Sequence, residues 1–273
     1  MNGHGETTFG MPTLIENRDI EENARLCHRL GLKFIELNMN FPEYQTDRLE
    51  KTDELLAAAE RYGLFYTIHL DENLNIADFN PLVREAYLET VRRTVRTAAK
   101  LKAPVINMHM NHGIHITLPD RKVQLYERDF DTYIRFFREF RDLCTGETAG
   151  TGIRIAVENT DGFRDYEREA IGLLLQSPVF GLTWDIGHSK AVNETDEAFL
   201  MQHEEALIHF HIHDGTTQPP ANHLALGDGA IDLEARLDLA ARLGCRCVLE
   251  TKTVRALESS VGWLRNRGYL RTD

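Results

Sequence analysis

The chain has 273 residues, of which 42% are hydrophobic and 27% charged, and its formal net charge is −12. This length suits one large domain, and the negative charge disfavours binding to a nucleic-acid backbone. No run approaches the roughly 20 apolar residues of a membrane span, and residues 1–10 lack the basic and apolar regions of a secretion signal. We expect a cytoplasmic protein that forms one domain over residues 1–273, with residues 1–6 flexible.

Short β-rich runs alternate along the chain with longer runs that are apolar at helical spacing. The β-rich runs are 7–15, 33–39, 65–70, 104–110, 154–160, 180–188, 207–214 and 246–252. The helical runs are 19–31, 47–63, 80–102, 126–146, 165–176, 195–207, 231–244 and 254–268. Eight such units in about 250 residues predict an α/β fold, the (β/α)8 TIM barrel. A doubly wound open sheet is the alternative, disfavoured because no GxGxxG follows the first strand.

Nitrogen and oxygen donors occur near the ends of six consecutive β-rich runs, from the third to the eighth. They are His69, His109, Glu158, Asp185 with His188, His211 with His213, and Glu250. The carboxyl ends of barrel strands form the active site, so these side chains are expected to meet at one rim. Imidazoles and carboxylates without cysteine suit Zn²⁺, Mn²⁺ or Mg²⁺. Each residue alone is also explained as a core histidine, a strand end or a cap; their shared position favours a metal site.

The seventh run, LIHFHIHDG over residues 207–215, places histidines at every second position. Successive side chains of a strand point to opposite faces, so all three histidines share one face. We expect His209 to lie deepest, as a hydrogen-bonded interior residue, with His211 and His213 nearer the mouth.

Four motifs carry a family resemblance: AVENT at 156–160, TWDIGH at 183–188, HFHIHD followed by HLALGDGAID within 209–232, and VLET at 248–251. Together they resemble the xylose-isomerase-like TIM-barrel superfamily, which contains sugar and sugar-phosphate isomerases and epimerases, inosose dehydratases and endonuclease IV. The resemblance covers nearly the whole chain. It implies one divalent ion held by Glu158, Asp185, His211 and Glu250.

The resemblance also implies roles for histidines around this ion. Endonuclease IV has a second metal site that corresponds here to His69, His109 and Glu158. Its third site corresponds to His188 and His223, but a carboxylate of that site is replaced by Ala221. This departure and the acidic net charge place nuclease activity second. His188 and His223 are therefore candidate substrate-binding residues, as are His69 and His109 if only one ion is bound. His213 is a candidate either for contacting the substrate or for supporting a metal ligand from behind.

The favoured function is a metal-dependent isomerase or epimerase of a sugar, sugar phosphate or related polyol ketone. A divalent ion stabilises the enediolate formed when a carbon beside a carbonyl loses its proton. Glu158 and Glu250 are the candidate base and acid, in an order the sequence leaves open. Related ketose epimerases carry an arginine after the seventh strand that is missing here, and Lys252 is either its replacement or a solvent-facing lysine. A hydrolase or dehydratase with two ions is the alternative, and the oligomeric state stays open.

Overall fold

Eight parallel strands form a closed barrel in the structure, a computed structural model that describes residues 7–271. The strands are β1 (Thr8–Pro12), β2 (Phe34–Asn38), β3 (Phe65–His69), β4 (Val105–His109), β5 (Arg154–Glu158), β6 (Phe180–Asp185), β7 (Leu207–Ile212) and β8 (Arg246–Leu249). Each strand pairs with its neighbour in sequence, and β8 pairs with β1. The predicted (β/α)8 barrel is confirmed. The flexibility expected of residues 1–6 lies outside the described residues.

Helices follow the strands around the barrel. They are α1 (Ile20–Arg29), α2 (Thr46–Leu49), α3 (Asp53–Tyr62), α4 (Pro81–Leu101), α5 (Leu125–Arg128), α6 (Phe130–Glu147), α7 (Asp165–Leu174), α8 (Ile186–Ala191), α9 (Glu197–Gln202), α10 (Leu233–Leu243) and α11 (Val254–Asn266). Short 3₁₀ turns cover Pro42–Tyr44 and Glu204–Ala206. No helix within residues 7–271 combines the length and the apolar character that a membrane crossing requires.

Three of the predicted helical runs are divided in the structure. The run 47–63 forms α2 and α3, the run 126–146 forms α5 and α6, and the run 195–207 forms α9 and a 3₁₀ turn. Between α5 and α6, Asp129 has φ −107° and ψ 41°, outside helical values. Apolar spacing continues through this break, so the periodicity alone did not indicate it.

The helix ends follow from local side-chain chemistry. The side chain of Asp19 accepts a hydrogen bond from the backbone of Glu22 at the start of α1, and Asn80 does the same for Leu82 at the start of α4. At the other end, Gly63 and Gly244 take the left-handed conformation that closes α3 and α10. These caps fix where the connections to the next strands begin.

Two hairpins that the sequence pattern did not predict lie beyond the carboxyl ends of the strands. The first pairs His115–Thr117 with Lys122–Gln124 after β4, and the second pairs Asp214–Thr217 with Pro220–Leu224 after β7. Asp214 holds the chain after the second hairpin, because its carboxylate accepts backbone N–H groups at 2.8–3.2 Å. The donors are Gly215, Gly227, Gly229 and Ile231. The loop after the second hairpin is thereby held at the first residue of that hairpin.

Candidate metal centre

The site is built around His211, which β7 directs into the barrel interior. Nε2 of His211 lies 2.7 Å from Oε1 of Glu36, which comes from β2 on the other side of the interior. Glu36 also accepts a hydrogen bond from Thr67 at 2.8 Å and lies 3.0 Å from Nε2 of His209. A buried carboxylate on one imidazole nitrogen fixes the ring and leaves the other nitrogen free to bind a metal. His209 lies deeper, as expected, and contacts Glu36.

The other nitrogen of His211 faces three carboxylates. Nδ1 lies 3.1 Å from Oε1 of Glu158, 3.2 Å from Oε2 of Glu250 and 3.8 Å from Oδ2 of Asp185. All four residues are buried, at the carboxyl ends of β5, β6, β7 and β8. The structure therefore brings together the four residues that the resemblance implied as ligands.

The donor set fits a divalent cation. Ligand atoms about 2.0–2.2 Å from one metal ion lie about 3–3.6 Å from one another, close to the distances measured from Nδ1 of His211. The buried Oε2 of Glu250 accepts no hydrogen bond of good geometry. Burial opposes ionisation of Glu158, but His211 and His109 hold the pKa of its carboxyl well below the ordinary value. Ionised carboxylates around one buried point attract a positive charge.

The second oxygen of Glu158 faces two further histidines. Nε2 of His69 and Nε2 of His109 each lie 3.2 Å from Oε2 of Glu158. Nδ1 of His69 lies 2.7 Å from the carbonyl of Leu70, so it donates there and Nε2 points to Glu158. Burial lowers the pKa of His69, but the hydrogen bond and charge of Glu158 outweigh it and raise the pKa to about 9. The predicted second group, His69 with His109 and Glu158, is thus assembled at the mouth.

Asp185 is both a candidate ligand and a helix cap. Its Oδ1 accepts the backbone N–H of His188 at 2.6 Å, which starts α8 where the sequence pattern predicted continued strand. Asn159 hydrogen-bonds the backbone N–H and carbonyl of Asp185, at 2.9 and 3.0 Å. The backbone of this ligand is therefore held from the neighbouring strand end.

Three of the predicted substrate-binding residues surround Asp185 and Glu250. Nε2 of His188 lies 3.8 Å from Oδ2 of Asp185, and Nε2 of His213 lies 2.9 Å from Oδ1. Nδ1 of His223 donates to the carbonyl of Glu250 at 3.0 Å. Burial lowers the pKa of His223 to about 4, so this ring is neutral.

Lys252 lies at the site, as one of the two interpretations of its position required. Its Nζ donates to Oε1 of Glu250 at 2.9 Å, and its side chain stays 49% exposed. The ammonium group therefore touches a candidate ligand while remaining open to a bound molecule.

Comparison with known proteins identifies the family. The model of the xylose isomerase-like TIM barrel matches residues 24–267. The chain belongs to this family. No curated protein matches the chain significantly. Among solved structures, it resembles a D-tagatose 3-epimerase-like protein at 21% identity, with a TM-score of 0.76 and 97% of each chain covered.

Two other solved structures of similar shape have names that include an activity or a metal. One is 3-keto-D-glucoside 4-epimerase YcjR from E. coli, at 18% identity, TM-score 0.75, with 95% of this chain and 99% of that chain covered. The other is the IOLI protein with a bound zinc atom, at 15% identity, TM-score 0.71, with 98% and 100% covered. At these identities the likeness supports the barrel fold of the family.

Two residues of the centre that the sequence analysis missed, Glu36 and Asn107, point into the barrel from β2 and β4. Thr183 donates to Oδ1 of Asn107 at 2.6 Å, which turns the Asn107 amide N–H toward Oε2 of Glu158. A signal for Glu36 was present: it is a charged residue in the middle of the β-rich run KFIELNM. A buried charge at such a position requires a partner.

A separate cavity of about 1030 Å³ opens between the first hairpin and the start of α7. His112 lies in its wall, with Nδ1 2.6 Å from Oε1 of Glu167 and Nε2 hydrogen-bonded to Asp161. The bonds to Asp161 and Glu167 outweigh burial and raise the pKa of His112 to about 9. None of the four predicted metal ligands lines this cavity.

Proposed function

We propose that the protein is a divalent-metal-dependent isomerase or epimerase of a sugar, sugar phosphate or related polyol ketone. Glu158, Asp185, His211 and Glu250 hold one ion, which is Mn²⁺, Zn²⁺ or Mg²⁺. Membership of the family and the epimerase names of two structural neighbours support this class of reaction. The zinc-bound neighbour supports a metal in this fold.

The observation that carries the proposal is the pair of glutamates around one nitrogen. Glu158 and Glu250 come from strands three positions apart in the barrel, and both reach Nδ1 of His211 within 3.2 Å. Each keeps a second oxygen away from that point, beside Asn107 in one case and Lys252 in the other. Two carboxylates that flank one substrate are suited to remove and return a proton.

In the proposed reaction, one glutamate removes the proton from the carbon beside the substrate carbonyl. When bound, the divalent ion supplies Lewis-acid stabilisation of the resulting enediolate. The other glutamate returns a proton, to the opposite face of the same carbon in an epimerase or to the former carbonyl carbon in an isomerase. In the isomerase, the proton of the neighbouring hydroxyl also passes to the former carbonyl oxygen. His188, His213, His223 and Lys252 would contact the remaining hydroxyl groups of a small sugar-like substrate.

A second candidate function, a hydrolase or dehydratase with two ions, is favoured by the histidine pair at Glu158. His69 and His109 offer Nε2 at equal distances of 3.2 Å from one carboxylate oxygen. A second ion there would share Glu158 with the first and supply an activated water. With one ion, the same two histidines would instead hydrogen-bond the substrate.

Hydrogen exchange in heavy water tests the proposal directly. Purified protein loaded with Mn²⁺, Zn²⁺ or Mg²⁺ is incubated with a panel of ketoses and ketose phosphates, and deuterium at the carbon beside the carbonyl is measured by NMR. We expect exchange with at least one ketose in the wild type and its loss in Glu250→Gln. Absence of exchange across the panel, together with nicking of abasic DNA or release of water from a polyol, would favour the second candidate.

A further inference from the structure

His213 is a buried histidine that contacts the second hairpin with one ring nitrogen and a candidate metal ligand with the other. Nδ1 lies 2.7 Å from the backbone nitrogen of His223, in the second hairpin. Nε2 lies 2.9 and 3.0 Å from the two carboxylate oxygens of Asp185. The side chain is fully buried. One ring therefore connects a hairpin to a candidate metal ligand.

The tautomer of His213 follows from these partners. A backbone N–H only donates, so Nδ1 accepts from His223 and carries no proton. The proton is then on Nε2, which donates to Asp185. A proton on Nδ1 would instead point to the carbonyl of Asp214, at the longer distance of 3.3 Å, and would meet the N–H of His223. The ring is an acceptor toward the hairpin and a donor toward Asp185.

The position of the ring is fixed sterically by Gly187. A Cβ atom on Gly187 would lie 2.0 Å from both Cε1 and Nδ1 of His213. Only glycine therefore allows the first turn of α8 to approach the ring this closely. Packed in this way, the imidazole cannot rotate without moving α8 or the hairpin.

The hairpin residue that His213 holds is itself in an uncommon conformation. His223 has φ 54°, in the left-handed region that non-glycine residues rarely adopt. Its backbone N–H is held by His213, and its ring Nδ1 donates to the carbonyl of Glu250. The hairpin is thus tied to the residues Asp185 and Glu250 through one histidine on each side.

We infer that His213 is a positioning residue that couples the second hairpin to the metal centre. Through Nε2 it orients the carboxylate of Asp185 for the ion, and through Nδ1 it holds the backbone of His223 beside the mouth. The inference rests on the metal centre of the proposed function. It assigns His213 the role of orienting Asp185, because Nδ1 accepts from the backbone of His223 and Nε2 lies 2.9 Å from the Asp185 carboxylate.

Two substitutions separate the two hydrogen bonds of His213. In His213→Asn, the amide oxygen takes the place of Nδ1 and can accept from His223, but no donor reaches Asp185. In His213→Gln, the longer amide can donate to Asp185 but no longer accepts from His223. Loss of a group that orients a metal ligand typically weakens metal affinity by about 10- to 100-fold. We expect this loss for Asn and a smaller change for Gln.

The two measurements are metal affinity and hydrogen exchange of the hairpin. Mn²⁺ and Zn²⁺ affinities are measured by competition with a chromogenic chelator, and amide exchange of residues 220–224 by mass spectrometry. His213→Gln should exchange faster over 220–224, and His213→Asn should stay near the wild type. Addition of Mn²⁺ or Zn²⁺ to the wild type should slow exchange of the same segment, because coupling is reciprocal.

His28→Gln serves as the matched control, because His28 is exposed near the end of α1, before β2 begins. It should change neither measurement. A folded His213→Asn with wild-type metal affinity would overturn the inference, as would equal loss of affinity in both variants. If the variants do not fold, the wild type still tests the inference: amide exchange over residues 220–224 that does not change on metal addition overturns it. A wild type that binds no metal refutes the proposed function, whereas one that binds metal without these effects refutes only the role of His213.

Discussion

Two histidine–carboxylate clusters lie beyond the carboxyl ends of the strands, and they differ in the number of acceptors that face each nitrogen. Around His112, each ring nitrogen has one carboxylate partner, Glu167 for Nδ1 and Asp161 for Nε2. In the metal centre, Nε2 of His211 also has one carboxylate partner, but three carboxylates surround Nδ1.

This difference separates a closed ion pair from a candidate site for another cation. A proton on each nitrogen of His112 satisfies both of its carboxylates, and the ring is then an imidazolium with no further need. A single proton on Nδ1 of His211 can reach only one of the three carboxylates that face it. Glu158, Asp185 and Glu250 each have another donor as well, but the buried Oε2 of Glu250 is left without a hydrogen bond. Three buried carboxylates that converge on one nitrogen, with one oxygen left without a donor, favour the binding of a cation.

The largest effect is expected from removing one charge at the centre. Glu158→Gln keeps the size of the side chain but removes a ligand and a candidate base. We expect loss of stoichiometric metal, measured by elemental analysis after gel filtration. Deuterium exchange into a ketose should fall by about 10²- to 10⁴-fold, the usual contribution of a general base. Asp161→Asn, which alters the His112 cluster, is the matched control and should keep its metal. Wild-type metal content in Glu158→Gln would contradict the comparison.

A smaller effect is expected from the carboxylate behind His211. Glu36→Gln removes the charge that holds Nε2 of His211, and metal affinity should fall by about 10- to 100-fold. Competition with a chromogenic chelator measures the change. Thr67→Val, which removes only a neutral donor to Glu36, should have a weaker effect. Equal affinities in Glu36→Gln and the wild type would show that the ring is oriented by packing alone.

The contrast between the ligands and Glu36 shows how far the sequence allows prediction. The candidate ligands lie at strand ends, and a period of two together with strand order is enough to bring strand ends together. The family resemblance implied which four of these residues bind the ion. Glu36 is a partner of His211 across 175 residues of sequence and from the opposite part of the barrel. Its orientation depends on the barrel radius and on side-chain length, which no local pattern contains.

The second hairpin could not be predicted for a similar reason. Its strands contain Gly, Pro and Asn, which are uncommon in strands. It is attached through residues distant in sequence: the Thr217 hydroxyl donates to the carbonyl of Lys190 at 2.9 Å, and the backbone N–H of His223 donates to Nδ1 of His213 at 2.7 Å. The segment is ordered by these long-range hydrogen bonds rather than by the propensity of its residues. The hydrogen bond between His223 and His213 depends on the fold of this hairpin, so the sequence pattern could not predict it.

The His112 cluster should affect stability without affecting the metal. His112→Gln leaves the fully buried Glu167 without its cationic partner. A lost hydrogen bond to a charged group costs about 1.5–3 kcal/mol, so the free energy of unfolding in urea should fall by that amount. Metal content by elemental analysis should equal that of the wild type. Loss of metal along with stability in His112→Gln would show that the two clusters are not independent.

The smallest effect expected is a pH dependence of the difference in unfolding free energy between the wild type and His112→Gln. The pKa of His112 is raised to about 9 in the fold, against about 6.5 in an unfolded chain. Binding of the proton therefore stabilises the fold fully below about pH 6.5, and this contribution is lost as the pH rises through about 9. The pKa of Asp161 is lowered to about 2, so that carboxylate stays ionised over this range.

The measurement compares the wild type with His112→Gln. His69, whose pKa is also raised to about 9, titrates in both proteins. Subtracting the unfolding free energy of His112→Gln from that of the wild type therefore removes the contribution of His69. Urea titrations at pH 6, 7.5 and 9.5 should show the difference shrink with increasing pH. If this difference in unfolding free energy stayed constant to pH 9.5, His112 would act as a neutral hydrogen-bonding group. The cluster would then not be an ion pair, and the contrast drawn with the candidate metal centre would fail.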